Sequence, residues 1–164
     1  LEGDHQAYQY LLEAIRRDGV PYDLISKSLP TVEGAVNDIL SQIVDFSIIF
    51  NMDGKVIDTH IVYDDDRVWP LELSSGMERF ISSLAIRVGL INVSNLPRSN
   101  FLAIDEGWGT MDSDNLNSVY SLFQYLKSQF QFTLIVSHID SMRDAVDTLL
   151  EIKKEKDYSN IMFD

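Results

Sequence analysis

The sequence contains no cysteine. That excludes a disulfide frame and a thiolate metal site, and makes a reducing compartment the natural setting. No apolar run approaches the ~20 residues that span a bilayer, so no segment is a candidate membrane helix. Positive charge is scarce: 13 Lys and Arg stand against 26 Asp and Glu, a net charge of −13. So acidic a surface repels a phosphate backbone, which excludes a self-sufficient nucleic-acid binder but not a part of a larger assembly acting on nucleic acid. The one compact basic cluster, Lys153, Lys154 and Lys156, reads as a solvated loop. Also missing is the phosphate-cradling loop GxxxxGK[ST]. The single Gly-Lys pair, Gly54-Lys55, has Ile49 where the first glycine belongs and Val56 where the hydroxyl belongs.

What is present suits one globular domain. The chain has 164 residues, 45% of them apolar and 24% charged, enough to bury a substantial core. Residues 4–18 predict a helix with Tyr8, Leu11, Leu12 and Ile15 on one stripe, stopped by Gly19 and Pro21. Two turns of stripe are too few to stand alone, so the segment reads as the end of something longer or as a docked surface helix. A second helix is expected over 31–44, with Thr31 as N-cap and Val32, Val36, Ile39, Leu40 and Ile43 inward. Two β-rich runs joined through Asp53-Gly54 predict a hairpin, and 64–70 a polar loop. Helices follow at 76–92, with Phe80, Ile81, Leu84, Ala85 and Val88 on one stripe, and at 113–129, with Leu116, Val119, Tyr120, Phe123 and Leu126 inward. Each precedes a short apolar strand, FLAID or FTLIVS. Residues 140–146 predict a short helix, and the rest a terminal hairpin. Strand, helix and strand in the middle of the chain are the pattern of a parallel sheet covered on both faces.

Three stretches carry chemistry. In LSSGME, Ser74, Ser75 and Gly76 lie where a loop turns into the helix at 76–92. A helix start has unpaired N–H groups and the positive end of the dipole, so hydroxyls and a glycine there make an anion site. Read alone, Ser-Ser-Gly is more often an ordinary N-cap. In FLAIDE, Asp105 and Glu106 stand at the carboxyl end of a strand, where ligands bind in open α/β sheets. One carboxylate suits a hard Mg²⁺ ion and the other an attacking water. Read alone, the pair is equally an acidic strand end in solvent. In FTLIVSHID, His138 follows another strand at the same edge, placed to bond a phosphate oxygen or a water. A lone histidine is more often a packing residue.

In this order and at these intervals, the stretches resemble the C-terminal half of an ABC-type ATPase head. Such heads occur in structural-maintenance-of-chromosomes (SMC) proteins and in double-strand-break-repair relatives such as SbcC. LSSGME is similar to the ABC signature, FLAIDE to Walker B with its catalytic glutamate, GTMD to the D-loop, and the SH of LIVSHID to the H-loop. DEGWGTMD is especially similar to the SbcC branch. The motifs span residues 73–138. The chain departs from the usual signature at Ser75, where a second glycine is expected, and at Met77, where Gln or Glu is; Glu78 follows.

The resemblance implies an α/β fold with a mainly parallel sheet flanked by helices, an antiparallel hairpin and a stub of coiled-coil helix at the N-terminus. Residues 1–19 would be that stub and 20–164 the C-terminal head lobe. The cofactors implied are ATP and Mg²⁺. Asp105 would support the metal, Glu106 the attacking water and His138 the γ-phosphate. Ser74, Ser75 and Gly76 would meet the nucleotide of a second head, and Asp112 would organise the interface. The partners implied are an N-terminal lobe carrying Walker A, a second head in an ATP-dependent dimer, an SbcD-type nuclease, and DNA through the assembled complex, with no membrane. The activity implied is ATP hydrolysis driving double-strand-break repair or recombination. Two other readings remain: the head lobe of a chromosome-organising ATPase without a nuclease, and a binding module that never had a P-loop. The location implied is the cytoplasm, at the nucleoid, in a bacterium or for a phage, and the nucleus in a eukaryote. A lobe of this kind also leaves an apolar face of FLAID and FTLIV bare where the other lobe belongs.

Without the N–H cradle and lysine of a P-loop, the chain by itself is expected neither to hold nor to hydrolyse Mg·ATP. Isothermal calorimetry tests this, and a micromolar dissociation constant would contradict it.

Overall fold

The computed structural model describes all residues except 1, 17, 54–55, 65, 107, 109–115, 156–157 and 164. The chain divides into two units, Leu1–Arg98 and Ser99–Asp164.

The first unit begins with helices α1 (Glu2–Ala14) and α2 (Val20–Leu40). The turn between them requires Gly19, where a Cβ would lie 2.5 Å from the Ala14 carbonyl oxygen. The second helix thus starts eleven residues before the expected Thr31 cap, and Thr31 lies inside it. Pro21 does not end a helix but opens one: it sits in the first turn, where the missing N–H has no intrahelical partner anyway. Pro30 costs one bond within α2, whose last turns are held by burial of Val36, Ile39 and Leu40. On α1 the stripe of Tyr8, Leu11 and Leu12 is solvent-exposed.

Strands β1 (Ser47–Asp53), β2 (Val56–Asp64) and β3 (Arg67–Pro70) form an antiparallel sheet in the order β1-β2-β3. The hairpin is as expected. The expected polar loop at 64–70 instead contains β3, a short exposed edge strand paired through Ile61 opposite Trp69 and Val62 opposite Val68. Three acidic residues masked the β-prone Val-Trp pair behind them. The outer edge of β1 is completed by side chains of α2. Asn37 accepts from the Ile48 N–H and donates to the Ile48 carbonyl, both at 2.8 Å. Glu33 accepts from the Phe50 N–H at 2.8 Å. A helix thereby satisfies backbone groups that an open edge would leave to another chain.

After a 3₁₀ turn (Leu71–Leu73) comes α3 (Gly76–Val93). Of its expected stripe, Ile81, Leu84, Ala85 and Val88 are buried while Phe80 is only half-buried; Met77 is buried as well, and the helix packs on α2. Ile48 and Ile61, opposite each other on β1 and β2, are fully buried in the same core.

In the second unit β4 (Phe101–Asp105) and β5 (Phe132–Val136) pair in parallel, joined through α4 (Leu116–Gln129). On α4 the expected Val119, Phe123 and Leu126 are buried, together with Leu122, whereas Tyr120 is exposed. A 3₁₀ turn (Asp140–Ala145) replaces the short helix, and β6 (Leu150–Glu155) with β7 (Tyr158–Phe163) makes the terminal hairpin. The strands of the described residues thus form three separate sheets rather than one mainly parallel sheet. Among the described residues only β4 and β5 run parallel, because only they are linked by a helical crossover; short turns force the other pairs antiparallel. One face of the parallel pair is bare: Phe101, Phe132, Leu134 and Val136 are exposed, with the rings of Phe101 and Phe132 stacked at 5.5 Å. Among the described residues no helix is long and apolar enough to cross a membrane.

At Gly89 α3 lies close against α2: a Cβ there would lie 2.7 Å from Val36 Cγ2 and 3.4 Å from the Val36 nitrogen. Gly89→Ala should cost about 1–3 kcal/mol by overpacking, less the ~1 kcal/mol that alanine gains in a helix. Urea denaturation measures the net loss; a stabilised variant would show that the helices have room to part.

Candidate active site

The carboxyl end of β4 carries Asp105, paired in register with Val136 of β5. The ladder runs one step further, since the Glu106 N–H donates to the Val136 carbonyl at 3.0 Å. There the chain turns sharply: Glu106 has φ +58°, a left-handed conformation that costs most residues about 1–2 kcal/mol. The turn delivers the Glu106 carboxylate to His138, two residues beyond β5, with Oε1 3.7 Å from Nδ1. That is longer than a hydrogen bond, and the two side chains are 68% and 74% exposed. The structure thus places Asp105, Glu106 and His138 at one edge of a parallel pair, open to solvent. Trp108, two residues beyond Glu106, is a fully buried ring meeting Phe123 of α4 edge-on at 5.3 Å. Its aromatic character was visible between two glycines; its burial needed α4 to be in place. Beside His138, Ser137 Oγ accepts from the Ile139 N–H at 3.1 Å and lies 3.3 Å from Met142 Sδ, which holds the loop after β5. Asp112 lies outside the described residues.

Ser74, Ser75 and Gly76 belong to the first unit. The helix cap is Ser75, not Ser74. Ser75 Oγ accepts from the Glu78 N–H at 3.3 Å, and the Glu78 carboxylate accepts from the Ser75 N–H at 2.8 Å, a reciprocal capping box. Ser74 turns its hydroxyl back to the Leu71 carbonyl at 2.7 Å, and Gly76 is the first helical residue. The departure from a two-glycine signature is explained locally, because serine supplies the cap oxygen and Glu78 its return bond. Glu78 is a residue to which sequence reasoning gave no role. Its spacing from Ser75 was the available signal. Its second oxygen accepts from the Tyr63 hydroxyl at 2.5 Å. Burial pushes the Glu78 carboxyl up, but hydrogen bonds from Tyr63 and Ser75 outweigh it and hold the group below the ordinary carboxylate range. The Tyr63 phenol is pushed up to about 12, first by burial and then by the bond to Glu78 and its charge, with Arg67 pulling the other way.

Asp105 offers one exposed carboxylate, and among the described residues no group of three or more ligand side chains surrounds a common point. That donor set fits a hard cation that keeps its waters and completes its shell with phosphate oxygens.

Acids and a histidine thus stand at the strand ends of the second unit, and a capped, serine-rich helix start lies in the first. No family model matches the chain. It is 36% identical over 171 residues to "Uncharacterized protein R555" of Acanthamoeba polyphaga mimivirus, covering 94% of this chain and 13% of that protein. It is 31% identical over 93 residues to the SbcC component of nuclease SbcCD from Staphylococcus aureus strain JH9, covering 54% of this chain and 9% of that protein. A solved structure from work on ATP-driven dimerization and DNA-stimulated activation of SMC ATPases superposes with a TM-score of 0.69. It has 14% identity and covers 86% of this chain and 88% of that one. The chain is an SMC/SbcC-like ABC ATPase head region, with the SMC head fold and a sequence match to SbcC over half its length. It spans about a tenth of the length of the curated relatives it matches.

Glu106→Gly should relieve the left-handed strain and raise unfolding stability by about 1 kcal/mol, since the exposed contact to His138 that it removes is worth little. Denaturant midpoints of the two proteins decide; a less stable glycine variant would show that the carboxylate, not the backbone, sets stability at this turn.

Proposed function

We propose that the chain is the C-terminal nucleotide-binding lobe of an ATPase that hydrolyses ATP between two heads and so drives double-strand-break repair or recombination with an SbcD-type nuclease. The observation that supports this most is the meeting of Glu106 and His138 at 3.7 Å beside Asp105, on the edge of a parallel strand pair. ATP hydrolysis needs a group that orients a water and another that senses the transferred phosphate, and little covalent chemistry besides. Glu106 is exposed and turned toward the open edge, so it can accept a proton from water; His138 can donate to a phosphoryl oxygen. Mg²⁺ on Asp105, when bound, would neutralise phosphate charge. Ser74, Ser75 and Gly76 would serve the nucleotide of the partner head, and Asp112 the interface. The helix α1, with its exposed stripe, would continue into a coiled coil, and the N-terminal lobe with the P-loop would complete the site. The match to SbcC supports the nuclease-linked reading. The SMC head fold equally supports a second reading, a chromosome-organising ATPase without a nuclease.

The two adjacent acids should separate in function. In the full-length protein, Asp105→Asn should weaken Mg·ATP binding. Glu106→Gln should spare binding, slow hydrolysis by about 10²–10⁴-fold and accumulate ATP-bound dimers. Single-turnover hydrolysis and dimer lifetime are the measurements; hydrolysis within about threefold of wild type would remove Glu106 from the water-activating role.

A further inference from the structure

The start of α3 is not held by its own residues alone. Strand β2 reaches it through Tyr63, and the sheet is built to deliver that residue. Val62 pairs with Val68 and Asp64 with Arg67, so Tyr63 is the extra, unpaired residue of a β-bulge. A bulge bends the strand and re-aims a side chain, and here it sends Tyr63 to Glu78. Three neighbours fix the ring. Phe46 lies at 6.0 Å, Trp69 meets it edge-on at 6.4 Å, and the Arg67 guanidinium lies over it at 5.5 Å, itself held by Asp64 at 2.7 Å. The Glu78 carboxylate is thereby consumed on both sides, by the Tyr63 hydroxyl at one oxygen and the Ser75 N–H at the other.

We propose that Tyr63 and Glu78 are positioning residues for the helix start at Ser74–Gly76, so that β2 presets the geometry with which this start meets an anion. The inference rests on the reading of that start as a phosphate contact to a second head. The N–H groups of Gly76 and Met77 have no carbonyl a turn behind them in the helix and remain to serve a ligand. Ser75 Oγ accepts from Glu78 and keeps its own proton to donate. A carboxylate left loose at this position would compete with the phosphate for the same donors. Tied to Tyr63, it holds the Ser75 backbone and stays out of the way. Such preorganisation is what a site needs if binding is not to include the cost of ordering it.

The test compares Tyr63→Phe, Glu78→Gln, Glu78→Ala and Ser74→Arg. Tyr63→Phe keeps the ring and its three neighbours and removes only the donor. In this chain it should speed exchange of the Ser75 and Glu78 amide protons and move the Glu78 carboxyl titration, followed by NMR, up toward the ordinary range. In the full-length protein it should leave single-head ATP affinity unchanged and weaken ATP-dependent head association by about three- to tenfold, the loss of part of a hydrogen bond to a charged group. Glu78→Ala should weaken association further. Glu78→Gln, which can still accept from Ser75, should recover part of that loss. If Ser74→Arg abolishes association while Tyr63→Phe changes neither association nor the Ser75 amide, the positioning role is wrong and the site's reading survives. If Tyr63→Phe loosens the Ser75 amide but neither it nor Ser74→Arg affects association, the reading of the helix start fails and the inference with it. An equal loss of single-head affinity and association in Tyr63→Phe would mark general damage and also overturn the proposal.

Discussion

A single carboxylate, Glu78, joins the antiparallel sheet to the helix that follows it. Isolated, a half-buried carboxylate is a liability, because desolvation disfavours its charge. Here each oxygen has its own donor, one from strand β2 and one from the backbone of the helix cap. The group therefore stays ionised below its usual range. Its stabilising contribution is present above the unfolded-state value and is lost as pH falls through the depressed folded one. The bulge at Tyr63, the aromatic box around that ring and the capping serine at 75 all make sense as parts of this one arrangement.

The same economy appears at the other side of the first unit. Asn37 and Glu33 of α2 supply the hydrogen bonds that β1 lacks on its outer edge. The helix, packed on α3 at Gly89, thus serves as both core layer and edge partner. Polar side chains in the middle of an amphipathic helix look like its solvent face; these two point at a strand. In the second unit the sheet has no such protection. The bare face of β4 and β5 and the exposed stripe on α1 are apolar surfaces of the kind that carry interfaces.

Much of the candidate site was legible along the chain because it depends on short spacings. The acids at the end of FLAID, the histidine after FTLIV and the serines before α3 lie where those spacings put them. The burial of Ile81, Leu84, Ala85 and Val88 follows from a 3.6-residue period that needs no tertiary information. The errors came where a local rule met two possible outcomes. Pro21 ends one helix or opens the next, and only the packing of Val36, Ile39 and Leu40 on α3 selects the second. Three aspartates before Val68 and Trp69 suggest a loop until β2 supplies a partner for the strand. Tyr120 fits the stripe of α4 but lies at its margin, while Leu122 takes the buried place.

By itself, then, the sequence determined where the candidate site residues stand along the chain and the periodicity of the elements that bear them, because both are written in neighbouring positions. Only the tertiary structure decided that Glu106 turns left-handed to reach His138, that Tyr63 leaves its ladder to hold Glu78, and that among the described residues one strand pair runs parallel. Each of those depends on groups far apart in sequence whose contact energies exist only once the chain has closed on itself.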